Sequence, residues 1–343
     1  MESMDVTGKN LKLGKNPMLG ENRGAGETLS PALIARLVED AIPRLACELR
    51  PDVRAALERA LKSETSERGK MVLGQLVENA RIAAEQKLPL CQDTGSVWVA
   101  LEVGEYDAQG NEIAISSNIF SLVNRAVAKA YAEAGLRMSL VRDALIDRSN
   151  TGDNTPAFCE LFINPAKRGA VLHIMLKGGG SDNASRVVML APGEGTDGVL
   201  RAVLGAVLEK GASACPPLII GVGVGSTFDK VGGLAKRALL RTLDTANPTP
   251  ELAALERRLL ANINALGIGP GGFGGDVTAL AVHVLTAPCH IAALPLAINI
   301  GCNSLRSLSI DLSDRRLMTD KVLAQAVSPS KVVPAGASGE GTR

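Results

Sequence analysis

The chain has 343 residues, of which 46% are hydrophobic and only 2% are aromatic, and it contains 36 glycines. A core of small aliphatic side chains with many tight turns is typical of a soluble, closely packed α/β enzyme. The 37 lysines and arginines nearly balance the 36 aspartates and glutamates, which argues against a nucleic-acid partner and favours small molecules. No apolar run reaches the roughly 18 residues of a membrane-spanning helix, and the N-terminus lacks the apolar centre of a signal peptide. The sequence therefore predicts a cytoplasmic protein without a membrane partner.

The predicted elements form a mixed α/β chain whose N-terminal part is helical and whose remainder consists of sheets flanked by helices. Residues 1–28 and 328–343 are polar, glycine-rich and without periodicity, which predicts mobile tails. A helix is expected to begin at Ser30 and Pro31, with the serine as its cap and the proline in its first turn. Helical periodicity then continues through most of roughly the first ninety residues.

After Gly95 the pattern changes to a period of two, with Val97, Val99, Leu101 and Val103 on one face. Strands are predicted at residues 97–103, 110–115, 157–163, 169–177 and 276–286, and helices at 117–135, 198–212, 232–243 and 250–266. No linker or internal repeat interrupts this series. Residues 29–327 are therefore predicted to form a single domain.

Glycine-rich or polar turns follow several apolar segments, and glycines there let backbone amides approach a ligand closely. These turns are predicted at residues 91–95, 150–156, 177–183, 221–226 and 267–275. The last of them matches the dinucleotide-binding pattern GxGxxG, but that fingerprint requires a strand before it and a helix after it, and here the order is reversed. Lys177 precedes its glycines, so the turn that follows it is not a phosphate loop either. The turns together predict a site for a small ligand.

The six cysteines are widely spaced and include no CxxC pair. Without a secretion signal, reduced thiols or metal ligands drawn from distant segments are expected rather than disulfides. Cys47 and Cys159 fall on helix and strand patterns and are predicted to be core, whereas Cys289 is ambiguous.

The three histidines divide by their surroundings. His173 and His283 lie in apolar strand patterns and are predicted to be packed and hydrogen-bonded. His290 lies in a loop, where a functional role and a bland one are equally open. A serine–histidine–aspartate triad is not supported, because no GxSxG motif occurs.

Six motifs occur in one order along the chain: CQDTG, NTGDNTPA, KGGGSDN, ACPPLIIGVGVG, GPGGFGGDVTALAV and HIAALPLAINIGC. This series resembles the α subunit of the class I fumarate hydratase and L-tartrate dehydratase family, which are iron–sulfur hydro-lyases. The resemblance extends from about Thr28 to about Ile310. It implies a [4Fe–4S] cluster on Cys91, Cys215 and Cys302, with one iron left open as a Lewis acid for the reversible dehydration of a 2-hydroxy dicarboxylate.

The resemblance also implies a substrate pocket. It assigns Gln92, Asp93 and His290 to that pocket and makes Arg137 the residue that binds a substrate carboxylate, although Arg142 and Arg148 stand close by. Backbone amides are implied from the glycine turn, whose members are Gly178, Gly179, Gly180 and Ser181. The alternatives are that the three cysteines are packed thiols and that Asp93 only caps its own turn.

Two departures and one missing part accompany the resemblance. Asn303 stands where family members often have a histidine, and Asp182 stands where they have a glutamate, which leaves the choice of diacid open. Single-chain members continue into a second domain that supplies the proposed base, so this chain is expected to act with a separate β subunit, as α2β2. The alternatives from other classes are a non-enzymatic iron–sulfur sensor of oxygen or iron, and a scaffold subunit without a cluster.

Overall fold

The computed structural model describes residues 29–312. The predicted tails at 1–28 and 328–343, and residues 313–327 of the predicted domain, lie outside this range. Three helices open the described part: α1 (Pro31–Cys47), α2 (Pro51–Ser63) and α3 (Glu67–Gln86). The hydroxyl of Ser30 accepts a hydrogen bond from the backbone N of Leu33 at 3.3 Å, which confirms the predicted cap.

The first sheet has the strand order β2-β1-β3-β8. Its strands are β1 (Ser96–Val103), β2 (Phe158–Ile163), β3 (Ala170–Lys177) and β8 (Arg306–Asp311). β1 runs parallel to β2 and antiparallel to β3, which in turn runs antiparallel to β8. The predicted apolar face of β1 packs in one core with α1 and with α4 (Ile119–Glu133). Trp98 and Ala100 face the other way, into a core shared with α2, α3 and Ile219.

The second sheet has the order β4-β7-β5-β6. Its strands are β4 (Arg186–Leu190), β5 (Leu218–Ser226), β6 (Ala279–Cys289) and β7 (Leu294–Gly301). β5 and β6 are parallel, and the other pairs are antiparallel. The short helix α5 (Gly179–Asn183) precedes β4. Two helices, α6 (Gly195–Lys210) and α8 (Pro250–Asn264), share a core with this sheet. The helix α7 (Val231–Ala238) packs against β5 and β7.

The mixed α/β fold with a helical N-terminal part is confirmed, but two local predictions are wrong. Residues 110–115 do not form a continuous strand, because the Asp107 carboxylate accepts from the backbone N of Gln109 and of Asn111 and closes a tight loop. Only isolated bridges remain in this segment, at Glu112 and Ala114.

Gly221–Ser226, predicted as a turn, belongs to β5. A Cβ at Gly221 would lie 2.2 Å from the carbonyl oxygen of Ala235, so the glycines allow α7 to lie directly against the strand.

The turn at 267–275 lies between α8 and β6, so the helix-before, strand-after context that excludes a dinucleotide site is present. Within residues 29–312, no helix is long and apolar enough to cross a membrane.

Candidate active site

Four turns meet where the ends of the two sheets come together. In the first sheet, Ser96 at the start of β1 pairs with Lys177 at the end of β3, and Leu176 pairs with Arg306 at the start of β8. In the second sheet, Ile219 near the start of β5 pairs with Gly301 at the end of β7. We call four segments the four-turn edge: the turn at residues 91–95, residues 178–181 at the start of the short helix α5, and the turns at 214–217 and 302–305. The last of them leads directly from the second sheet into the first.

Three of these turns each carry a free cysteine: Cys91 and Cys302 are half-buried, and Cys215 is exposed. Burial raises the pKa of the Cys215 thiol, and the charges of Cys302 and Cys91 raise it further. The three thiols are therefore near enough to act on one another.

The candidate donors for a cluster are three thiols on separate turns. In the part of the chain that the structure describes, no three histidine, cysteine or carboxylate side chains are grouped around one position where a single metal ion would bind. Thiolates on separate turns fit an iron–sulfur cluster, in which each thiolate binds a different iron.

The Cys215 backbone has φ 55° and ψ 65°, in the left-handed region that side-chain-bearing residues seldom occupy. Asn303 holds this turn, since its backbone N and its Nδ2 donate to the Cys215 carbonyl oxygen at 3.2 Å and 2.8 Å. The turns that carry two of the three cysteines are thereby joined. The sequence marked Asn303 only as a departure from the family pattern, and this positioning role was missed.

Asp93 connects its own turn to the glycine turn. Its Oδ1 accepts from the backbone N of Gly95 at 3.0 Å and lies 3.5 Å from the Ser139 hydroxyl, while its Oδ2 accepts from the backbone N of Gly179 at 2.8 Å. Asp93 therefore caps its turn and also has a second, longer-range contact. The Gly179 amide, one of the predicted donors to substrate, is engaged by this carboxylate.

Lys177 is a buried cation behind the Cys302 turn. Its Nζ donates to the carbonyl of Ile300 at 2.7 Å and to the Ser181 hydroxyl at 2.9 Å, and it lies 3.4 Å from Oδ1 of Asp182. Burial lowers the pKa of Lys177 to about 8, although the charges of Asp182 and Cys302 oppose that shift. The Ser181 hydroxyl, which also donates to the Gly178 carbonyl, belongs to this interior network, whereas Gly179 and Gly180 are exposed.

The remaining residues predicted on this side lie along the 91–95 turn. The amide oxygen of Gln92 accepts from the Cys91 thiol at 3.3 Å. Arg137 is exposed, and its carbonyl oxygen accepts from the Thr94 hydroxyl at 2.5 Å. Arg137 thus contacts the 91–95 turn through its backbone, and Arg142 and Arg148 lie on an exposed loop further along the chain.

His290 lies elsewhere in this chain. It follows β6, whose last residue, Cys289, pairs with Ser226 at the far end of β5 from Cys215. β5 has nine residues, which at about 3.3 Å each separates the two ends by roughly 25 Å. The structure therefore does not bring His290 to the cysteines of its own chain.

The other two histidines are buried, as predicted. His173 contacts the Ser309 hydroxyl at 2.8 Å and Glu102 at 3.4 Å. The ring nitrogens of His283 have no hydrogen-bond partner among residues 29–312, so its predicted hydrogen bonding is wrong. Burial lowers the pKa of His283 to about 3, which keeps the imidazole neutral.

An edge with three free thiols, a carboxylate held by backbone amides and a buried ammonium has the donor chemistry for an iron–sulfur group and an anionic substrate. The family model described as fumarate hydratase (Fumerase) matches residues 35–311. The chain belongs to this family, and it is a hydro-lyase enzyme.

Individual relatives carry more specific names. A Methanocaldococcus jannaschii protein provisionally named as the alpha subunit of L(+)-tartrate dehydratase is 39% identical, over 78% of this chain and 94% of that protein. The L(+)-tartrate dehydratase subunit alpha of Escherichia coli K12 is 29% identical, over 78% of this chain and 87% of its own length. The Shigella boydii protein of the same name has the same identity and coverage.

Proposed function

We propose that this chain is the α subunit of a [4Fe–4S]-dependent hydro-lyase that reversibly dehydrates a 2-hydroxy dicarboxylate of the fumarate/malate or tartrate type. The observation that carries the proposal is the convergence of Cys91, Cys215 and Cys302 on the four-turn edge. The names of the relatives make tartrate the first diacid to test, and the family description makes malate and fumarate the next.

In this proposal Cys91, Cys215 and Cys302 hold the cluster and leave one iron without a thiolate. When bound, the cluster supplies a Lewis acid that makes the substrate hydroxyl a better leaving group. Lys177, behind the Cys302 turn, offsets part of the negative charge that three thiolates bring into a partly buried site. Asn303 keeps the Cys215 turn in its strained conformation.

On the substrate side, Arg137 binds one carboxylate in a bidentate manner, and the amide of Gln92 and the carboxylate of Asp93 orient the substrate beside the cluster. The proton that leaves is on the carbon next to a carboxylate and is weakly acidic, so its removal needs a base and donors for the charge that develops on the carboxylate oxygens. Of the two exposed glycines, Gly179 already donates to Asp93, so the amide of Gly180 is the candidate for such a donor. His290 could contact the substrate only in the site of a second copy of this chain, because in its own chain it lies at the far end of β5 from the cysteines.

A separate β chain completes the site in this proposal and supplies the base. The relatives are named as alpha subunits, which supports a two-subunit enzyme, and we propose α2β2 as the assembly. A dicarboxylate bound at the exposed four-turn edge would be covered by the β chain, which would exclude water from the reacting carbon.

Anaerobic reconstitution of the chain with iron and sulfide tests the cluster. Wild type is expected to take up four irons with the visible absorption of a cluster, and Cys91→Ser, Cys215→Ser and Cys302→Ser are each expected to lose it. Cys289→Ser is the matched control, because Cys289 is also exposed but lies at the far end of β5. The proposal fails if wild type takes up no iron or if the three variants behave like the control.

Turnover of tartrate, malate and fumarate with the β chain present then tests the reaction. Cluster uptake with no turnover of any diacid would favour the sensor over the enzyme. If the chain shows no cluster uptake and no turnover, the result would favour the scaffold subunit.

A further inference from the structure

Arg306 is a buried arginine whose guanidinium is incompletely paired. It begins β8, four residues after Cys302, and its side chain is 2% exposed. Its Nε and Nη1 have no hydrogen-bond partner among residues 29–312. A buried charge without a counter-charge is costly, so a guanidinium retained in this position is expected to serve an anion nearby.

The anion is identified by the surroundings of Gly178. A Cβ at this glycine would lie 3.3 Å from Oδ2 of Asp93 and 3.8 Å from Nη2 of Arg306. The carboxylate and the guanidinium therefore both lie beside the place that a side chain at Gly178 would occupy. Gly178 has φ −70° and ψ 140°, which any residue can adopt, so space rather than backbone conformation favours glycine here.

The hydroxyl of Tyr131 is affected by both charges. Burial raises the pKa of Tyr131 to about 12, the Asp93 charge raises it as well, and the Arg306 charge lowers it. This hydroxyl donates to the carbonyl oxygens of Thr94 and Gly95, so a group that both charges affect lies against the 91–95 turn.

We propose that Arg306 is a positioning residue for Asp93. β8 fixes the guanidinium in the interior beside Gly178. Its positive charge keeps the Asp93 carboxylate turned toward the glycine turn. The hydrogen-bond donors to Asp93 within residues 29–312 are Gly95, Ser139 and Gly179. Arg306 therefore acts on Asp93 through its electric field or through one bridging water. The effect on turnover rests on the proposed function, whereas the coupling between the two side chains does not.

A double-mutant cycle of Arg306→Met and Asp93→Asn tests the coupling in two ways. The first measurement is urea unfolding of the full chain alone, in which we expect the shifts of the two single variants to be non-additive. The second is turnover of the reconstituted enzyme with its β chain. There we expect Arg306→Met to lower kcat by about 10- to 100-fold with little change in KM, and to have no more than about a 2-fold effect when Asp93 is already Asn. Arg306→Lys should restore most of kcat.

Two further variants separate an effect on the position of Asp93 from an effect on the stability of the fold. Gly178→Ala places a methyl group beside both charges without removing either, and it should lower kcat like Arg306→Met while iron uptake stays at the wild-type level. Arg241→Met is the matched control, since Arg241 is also a buried arginine but pairs with Glu256 away from the four-turn edge. It should lower stability and leave the kcat of the folded enzyme unchanged.

Additive effects in both measurements would overturn the proposal, and additive effects in turnover alone would mean that Arg306 contacts the substrate itself. Wild-type kinetics in Arg306→Met would also overturn it. If wild type turns over no diacid, the proposed function fails, while the unfolding cycle still decides whether Arg306 and Asp93 are coupled. If Arg306→Met does not fold, Arg306→Lys and Gly178→Ala decide the proposal.

Discussion

The molecule contains two groups of buried cations that differ in their partners. In the interior, Arg241 pairs with buried Glu256 and donates to the Thr245 carbonyl, and Arg50 pairs with Asp52 and donates to carbonyl oxygens and to Ser307. At the four-turn edge, the carboxylate beside Lys177 is the half-exposed Asp182, and Arg306 has two donors that find no partner within residues 29–312. Fully paired charges maintain a fold, and incompletely paired ones mark the place where a ligand or a functional neighbour supplies the remaining charge.

The largest effect is expected in the interior group. Glu256→Ala removes a carboxylate that accepts from Arg241, from Asn247 at 2.9 Å and from the backbone N of Val284 at 2.7 Å. Because a buried guanidinium is then left unpaired, the free energy of unfolding should fall by about 3–5 kcal/mol. Urea denaturation measures this. Glu58→Ala, which breaks the exposed pair with Arg54, is the control and should cost less than about 1 kcal/mol.

In the edge group, Lys177 should make the free energy of unfolding depend on pH. The pKa of Lys177 is about 8 in the folded chain, below its ordinary value of 10.5, so between these values the unfolded chain binds more protons at this group. The contribution of Lys177 to the free energy of unfolding should therefore rise with pH in that window, by at most about 1.4 kcal/mol per pH unit.

Unfolding of wild type and Lys177→Met, in reducing buffer at the two ends of this window, isolates the contribution of Lys177, because the two proteins share every other side chain. Identical pH dependence in the two proteins would mean that Lys177 keeps an ordinary pKa and that the two groups of cations do not differ in this respect.

A smaller effect is expected at the Cys215 turn. Asn303→Ala removes the side-chain donor to the Cys215 carbonyl and should lower the free energy of unfolding by about 0.5–1.5 kcal/mol. If the cluster binds as proposed, this variant should also lose iron to a chelator faster than wild type. Asn303→Asp, which removes the donor at nearly constant shape, should behave like Asn303→Ala, and an unchanged rate in both would exclude the positioning role.

The sequence predicts much of the fold where a single element determines its own pattern. The cap at Ser30, the helices α1 to α4 and the alternating face of β1 follow from local periodicity and are confirmed. The glycine pattern at residues 221–226 predicts a turn, but these residues belong to β5, because the glycines allow the close approach of α7 and no local pattern reveals that contact. The predicted strand at 110–115 is wrong because hydrogen bonds from the backbone to the Asp107 side chain determine the shape of that loop.

The site was predictable only in part. The grouping of the three cysteines followed from the resemblance of motifs, since their spacing along the chain carries no such information. Lys177 and Arg306 were missed as members of the edge, because their importance depends on which partners the tertiary structure supplies. One signal was present for Arg306: it is a charged residue among Leu305, Leu308 and Ile310, in a segment that is otherwise typical of a buried strand.

The connection of β7 to β8 through the Cys302 turn also constrains the timing of maturation. Cys91, Cys215 and Cys302 come together only after both sheets have formed, and those pairings join segments far apart in the sequence, which form slowly. A nascent chain would therefore present single thiols. If the cluster binds as proposed, iron and sulfide would have to arrive after the two sheets have paired, so the cluster would be delivered to a folded chain.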